Sequence, residues 1–163
     1  MHASAETSVL PAGFLGSATS LVLGIGNSGR QDDGLGWAYL DALEDGAGVP
    51  AQLRRTYQLN LEDADLIHRY QRVLFVDATK DAGVASFSVT RPHPRMDLTF
   101  TSHAISVPAI LATAQQCFDT IPEAYLLAIR GYEWELREGI TEPARRNLRL
   151  ALDATRDAAV HEK

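Results

Sequence analysis

Apolar residues along this chain fall into two rhythms that take turns. Short unbroken runs at 20–25 (SLVLGI), 72–76 (RVLFV, leading into Asp77) and 124–129 (AYLLAI) predict strands buried on both faces. Between them the spacing turns helical. Residues 36–44 carry Trp37, Leu40, Leu43, Ala38 and Ala42 at helical intervals, with Gly46 and Gly48 as the stop. Residues 61–70 repeat apolar positions at 61, 66, 67 and 70, and 106–118 show a stripe at 107, 110, 111, 114 and 118 with Pro108 in the first turn. A closing helix is predicted from Thr141 to about residue 159, with Pro143 in its first turn. The more polar 52–58 (QLRRTYQ) and the alternating 86–90 (SFSVT) predict an exposed strand and an edge strand. This alternation predicts the α/β class: a three-layer α/β/α sandwich around a mostly parallel, twisted sheet with right-handed crossovers. In such sheets ligands bind where the strands' carboxyl ends meet the crossover loops.

Length and charge narrow the function classes. At 163 residues the chain suits one domain, expected over 20–160, with residues 1–19 as a flexible tail. That tail lacks the basic start and long apolar stretch of a secretory signal, and no window reaches the apolar length of a membrane span. The formal charge of −6 and the absence of a basic run argue against a nucleic-acid partner and suit attraction of cations. Cys117 has no second cysteine to pair with, which fits a reducing compartment, so a cytoplasmic location is expected. Its apolar neighbours on a predicted helix make it a buried structural thiol rather than a nucleophile.

Residues 24–29 read GIGNSG, a literal G-x-G-x-x-G after a strand, which raises a dinucleotide site. Two features oppose it. Asp32 and Asp33 follow at once, and their charges would repel a pyrophosphate. The acid expected about 20 residues on to bind a ribose is missing, because Gln58 and Asn60 stand there. Gly24 and Gly26 are better read as permitting a tight strand-to-loop turn.

The unbroken stretch LVLGIGNSGRQDDGLGWAYLDALE resembles the N-terminal signature of the hydrogenase maturation endopeptidases, in which a strand ends G-[IV]-G-N and an acidic pair and G-x-G follow. A buried strand ending V-D-A appears as VLFVDA, a serine and histidine ahead of an early-proline helix appear as SHAISVPAIL, and LLAIRGYEWELREGIT resembles the family's strand, turn and start of the closing helix. The likeness spans about residues 20–158, with its motifs in the family's order. It implies a phosphorylase/hydrolase-like fold and a protease that removes the C-terminal peptide of the [NiFe]-hydrogenase large-subunit precursor. It also implies three metal ligands: Asp33, Asp77 and His103. In the family the nickel is thought to arrive already loaded in the precursor, which is then both partner and metal source. A monomer is expected.

The chemistry of that set is coherent. Two carboxylates at strand ends would raise each other's proton affinity, a penalty that a bound divalent cation removes. Two oxygens and one imidazole suit a borderline ion such as nickel or zinc and leave positions open, where a metal can polarise a scissile carbonyl or activate water. Each member also has a bland reading: Asp33 as a helix cap, Asp77 as a strand-end turn residue, His103 as a residue leading into a helix. Asp32 is expected to cap the helix that follows it. His93, between prolines in RPHPR, is expected in an exposed loop, and His68 on the surface. No G-x-S-x-G elbow supports a serine triad.

Two rival functions share parts of this pattern. Peptidyl-tRNA hydrolases open with a similar strand, G-[LI]-G-N-P-G and helix, but they carry a histidine and asparagine where this chain has Asp32 and Asp33, and their RNA substrate favours a basic groove. A non-catalytic nickel-checkpoint protein would bind the precursor and release it uncut.

Overall fold

Each apolar run forms a strand whose successive residues serve opposite faces of one sheet. The computed structural model describes residues 6–96 and 105–160. Its strands are β1 (Glu6–Thr7), β2 (Ser20–Ile25), β3 (Gln52–Thr56), β4 (Arg72–Thr79), β5 (Phe87–Arg91) and β6 (Glu123–Arg130). Its helices are α1 (Leu35–Asp45), α2 (Asp63–His68), α3 (Val107–Phe118) and α4 (Glu142–Ala154), with short 3-10 turns at Gln31–Gly34 and Arg156–Ala159. The sheet order is β1-β5-β6-β4-β2-β3. Strands β3, β2, β4 and β6 pair in parallel, β5 runs antiparallel to β6, and β1 runs antiparallel to β5.

Strand pleating divides the core in two. Val22, Leu74, Val76, Leu127 and Ile129 pack on one face with Leu35, Tyr39 and Leu40 of α1 and Ala144, Leu148 and Ala151 of α4. Leu21, Leu23, Val73 and Phe75 pack on the other with Ala64 and Ile67 of α2 and Ile110, Leu111 and Ala114 of α3. The result is the expected three-layer α/β/α sandwich. Ser106 and Thr141 cap α3 and α4, each side chain accepting from the backbone N–H three residues on, and each helix has proline in its first turn. Among the described residues, no helix is long and apolar enough to cross a membrane.

Several elements differ from the sequence reading. The loose tail expected over residues 1–19 does not describe residues 6–19. Glu6 and Thr7 pair with Arg91 and Thr90. Phe14 and Leu15 are fully buried, and the Phe14 ring meets Tyr125 edge-on at 5.2 Å between centroids. The backbone is tied down as well: Ser20 Oγ donates to the Phe14 carbonyl at 2.6 Å, and the Leu15 N–H donates to the Ala158 carbonyl at 2.8 Å. These apolar residues lie in an irregular segment without a period, so pattern alone does not reveal them. The closing helix stops at Ala154 rather than near 159 and gives way to the second 3-10 turn.

Two side chains are also corrected. Cys117 is exposed, not buried, because α3 buries its first two turns while residues 115–118 all lie in the open. His68 is only 24% exposed at its side chain; its ring stacks on Phe118 at 3.8 Å and Nε2 lies 3.3 Å from Asp65 Oδ1. His93 is exposed, as expected.

Candidate functional site

From β2 the chain steps to β3 on one side and then crosses back past β2 to β4 on the other, so the strand order reverses there and a crevice opens between the carboxyl ends of β2 and β4. Register sets its floor. Pairing of β4 with β2 ends at Val76↔Gly24, whereas pairing of β4 with β6 continues through Asp77↔Ala128 to Thr79↔Arg130. Strand β4 therefore overhangs β2, running beyond the predicted end at residue 76, and Asp77 is the first residue of the overhang.

Asp33 reaches the same crevice from the other side, in the 3-10 turn that leads into α1. Close packing brings it there. A Cβ on Gly36 would lie 2.5 Å from the Ile25 carbonyl oxygen and 2.6 Å from that of Val76, so only glycine lets α1 begin directly against both strand ends. Gly26 has a φ of +144°, and a Cβ there would lie 2.0 Å from the Asp33 carbonyl oxygen. The glycine loop thus serves the approach of Asp33 to the sheet.

Asp33 and Asp77 line one open cleft of about 500 Å3, together with Arg30, Ala78, Thr79, Lys80 and Trp134. Burial is the largest influence on both acids. It raises the pKa of Asp33, against the lowering effects of Arg30, a backbone hydrogen bond from Asn27, and Lys80. It pushes Asp77 up to about 7; the Ala78 N–H, donating to Oδ1 at 2.8 Å, opposes this, and the nearby charge of Asp33 adds to it. Two acids that hold protons unusually well, side by side, form an oxygen donor pair for which a divalent cation can compete. His103, the third residue of the sequence-derived set, lies outside the described residues. Among the described residues, no group of three His, Cys, Asp or Glu side chains is placed to hold a metal ion.

Asp32 does not cap α1; Gly34 occupies the N-cap and no side chain bonds to it. The Asp32 carboxylate is instead fully buried and accepts from Tyr132 N (2.8 Å), Glu133 N (3.1 Å), Thr141 N (2.8 Å) and Thr141 Oγ1 (2.8 Å). Gln31 works beside it in a left-handed conformation, φ 46°. Its side chain accepts from Glu135 N at 3.0 Å and donates to Glu133 Oε2 at 3.2 Å. The 131–141 segment is thereby laid along the cleft. Arg30, Lys80 and Trp134 were not singled out by sequence, since a lone cation or aromatic in a loop has no periodicity to mark it. The one available signal for Arg30 was its place three residues before Asp33.

The fold and crevice define an open, doubly wound α/β protein with an acidic pair at its switch point. No protein-family model matches the sequence. No curated protein matches it significantly. Solved structures do resemble it. The [NiFe] hydrogenase maturation protease HycI from Thermococcus kodakarensis KOD1 superposes with a TM-score of 0.67 at 20% identity, over 90% of this chain and 96% of that one. The hydrogenase maturating endopeptidase HybD from E. coli gives 0.66 at 20% identity, over 87% and 94%. The solution structure of an Escherichia coli endopeptidase gives 0.68 at 18% identity, over 87% and 94%. At these identities the likeness is one of fold.

Proposed function

We propose that this chain is a hydrogenase maturation endopeptidase that removes the C-terminal peptide of a nickel-loaded [NiFe]-hydrogenase large-subunit precursor. The observation that carries the reading is the meeting of Asp33 and Asp77, residues far apart in sequence, in one cleft at the sheet's switch point. The fold shared with structures named as maturation proteases supports it. So do the sequence motifs that contain both aspartates.

In this reading the nickel belongs to the substrate. Asp33 and Asp77 dock it through carboxylate oxygens, with His103 as the nitrogen donor, and docking releases the proton that Asp77 holds near neutral pH. Hydrolysis adds the oxygen of water to the scissile carbonyl carbon, breaks the C–N bond and delivers a proton to the departing amine. Docked nickel supplies electrophilic assistance to that step.

The test is incubation of the purified protein with nickel-loaded precursor. A shortened large subunit is expected from the unaltered protein, and none from Asp77→Asn, Asp33→Asn or His103→Ala. A stable complex with an uncut precursor would replace the protease by a checkpoint protein. Efficient cleavage of metal-free precursor would remove nickel from the recognition.

A further inference from the structure

The acidic pair splits its work between two neighbours. Asp33 opens on the cleft, whereas Asp32 has no solvent contact and its carboxylate spends all its described hydrogen bonds on residues 132, 133 and 141. A buried carboxylate is costly unless donors surround it, and here three backbone N–H groups and a hydroxyl converge on its two oxygens. The segment so held is no ordinary loop interior. It presents Tyr132 at 43% and Leu136 at 80% exposure, and it sends Trp134 into the lining of the cleft. Lys80, which lies on the overhang side of the cleft, places Nζ 4.9 Å from the centre of the Trp134 ring. The segment's start is crowded against the same anchor: a Cβ on Gly131 would lie 2.7 Å from Asp32 Cβ and 2.9 Å from Trp134 Cη2. Exposed apolar side chains on a loop whose base is fixed by buried hydrogen bonds are arranged in advance for a partner, so little ordering is left to oppose binding.

We propose that Asp32 is a positioning residue, holding residues 131–141 so that Trp134 and Lys80 form a fixed wall of the cleft against which the polypeptide substrate lies. The assignment rests on the endopeptidase reading for the identity of that substrate. Asp32 itself does not touch the substrate; it acts through Trp134. Adjacency in sequence couples the wall to the docking acid, since one short turn places both.

The test follows Trp134 by fluorescence in a Trp37→Phe background, because the chain has two tryptophans. Nickel-loaded precursor should shield Trp134 from acrylamide in the unaltered protein. In Asp32→Asn the amide turns N–H groups toward backbone donors. Trp134 should then be quenched several-fold faster, tryptic cleavage after the exposed Arg137 should accelerate, and about tenfold more precursor should be needed for the same shielding. In the cleavage assay this loss should fall on KM more than on kcat. Gly131→Ala, which pushes the segment off its anchor without changing charge, should reproduce the result and covers the case in which Asp32→Asn does not fold. Failure of the precursor to shield Trp134 would overturn the proposal. So would unchanged quenching in both variants, or a freed segment with unchanged precursor affinity. Shielding without cleavage would sink the protease activity alone and leave the positioning role standing.

Discussion

Asp77 meets the charge of Asp33 across a gap in the sheet that exists because β2 stops pairing with β4 at Gly24 while β4 continues beside β6. Neither acid is placed by a flexible loop tip: one is in a strand, the other in a turn wedged against two strand ends.

Stability should report the Asp77 environment directly. Its pKa rises from an ordinary 3.8 to about 7 in the folded protein. Between those values the native state holds the extra proton, so stability falls as pH rises through the window and levels off above it. Asp77→Asn removes the charge that burial penalises. The metal-free variant should therefore match the parent near about pH 3.5 and exceed it by on the order of 1–3 kcal/mol at about pH 8, after allowance for solvent screening. Melting temperatures across that range measure the difference; two parallel curves would mean that Asp77 is not buried as described.

Cation affinity should carry the opposite dependence on pH. Protons and a divalent cation compete for the same oxygens, so binding of Ni2+ should tighten by up to about tenfold per pH unit below the Asp77 pKa and flatten above it. Calorimetric titrations at a series of pH values would show this. Affinity independent of pH would remove Asp77 from the donor pair.

Gly36→Ala should damage the site from the inside. Its methyl group would press on two backbone carbonyls, Ile25 and Val76, that cannot move without disturbing β2 and β4. A loss of about 1–3 kcal/mol in urea unfolding is expected, together with weaker cation binding. Unchanged affinity in the folded variant would show that the approach of α1 is not what brings Asp33 to the cleft.

Phe14→Ala tests the N-terminal segment. A buried phenylalanine in edge-on contact with Tyr125 should cost about 3–5 kcal/mol when truncated. A loose tail would cost nothing, so the same unfolding measurement distinguishes the two.

The legible parts of this chain are those with a period. Strands β2, β4 and β6 announce themselves as apolar runs, and α1 and α3 as stripes, because burial on two faces or one leaves that trace in sequence. Asp33 and Asp77 were readable because each follows such an apolar run inside a motif. Phe14 and Leu15 were not, since an irregular segment buries side chains without repeating them. Asp32 was misread for a related reason: helix capping is a local rule, whereas its partners lie about a hundred residues away. Cys117 failed in the same manner, as apolar neighbours do not tell where a helix outruns its layer.

The overhang of β4 also bears on how such a site can change over time. Adjacent strand residues point to opposite faces, so moving β4 by a single residue against β2 would turn the Asp77 carboxyl through the sheet and bring a neighbouring apolar side chain in its place. Insertions in the connecting helices, by contrast, leave that register untouched. Sequences could therefore drift widely around this crevice while the spacing of its two oxygens is preserved by hydrogen-bonded strand alignment, a constraint that residue-by-residue identity would scarcely reveal.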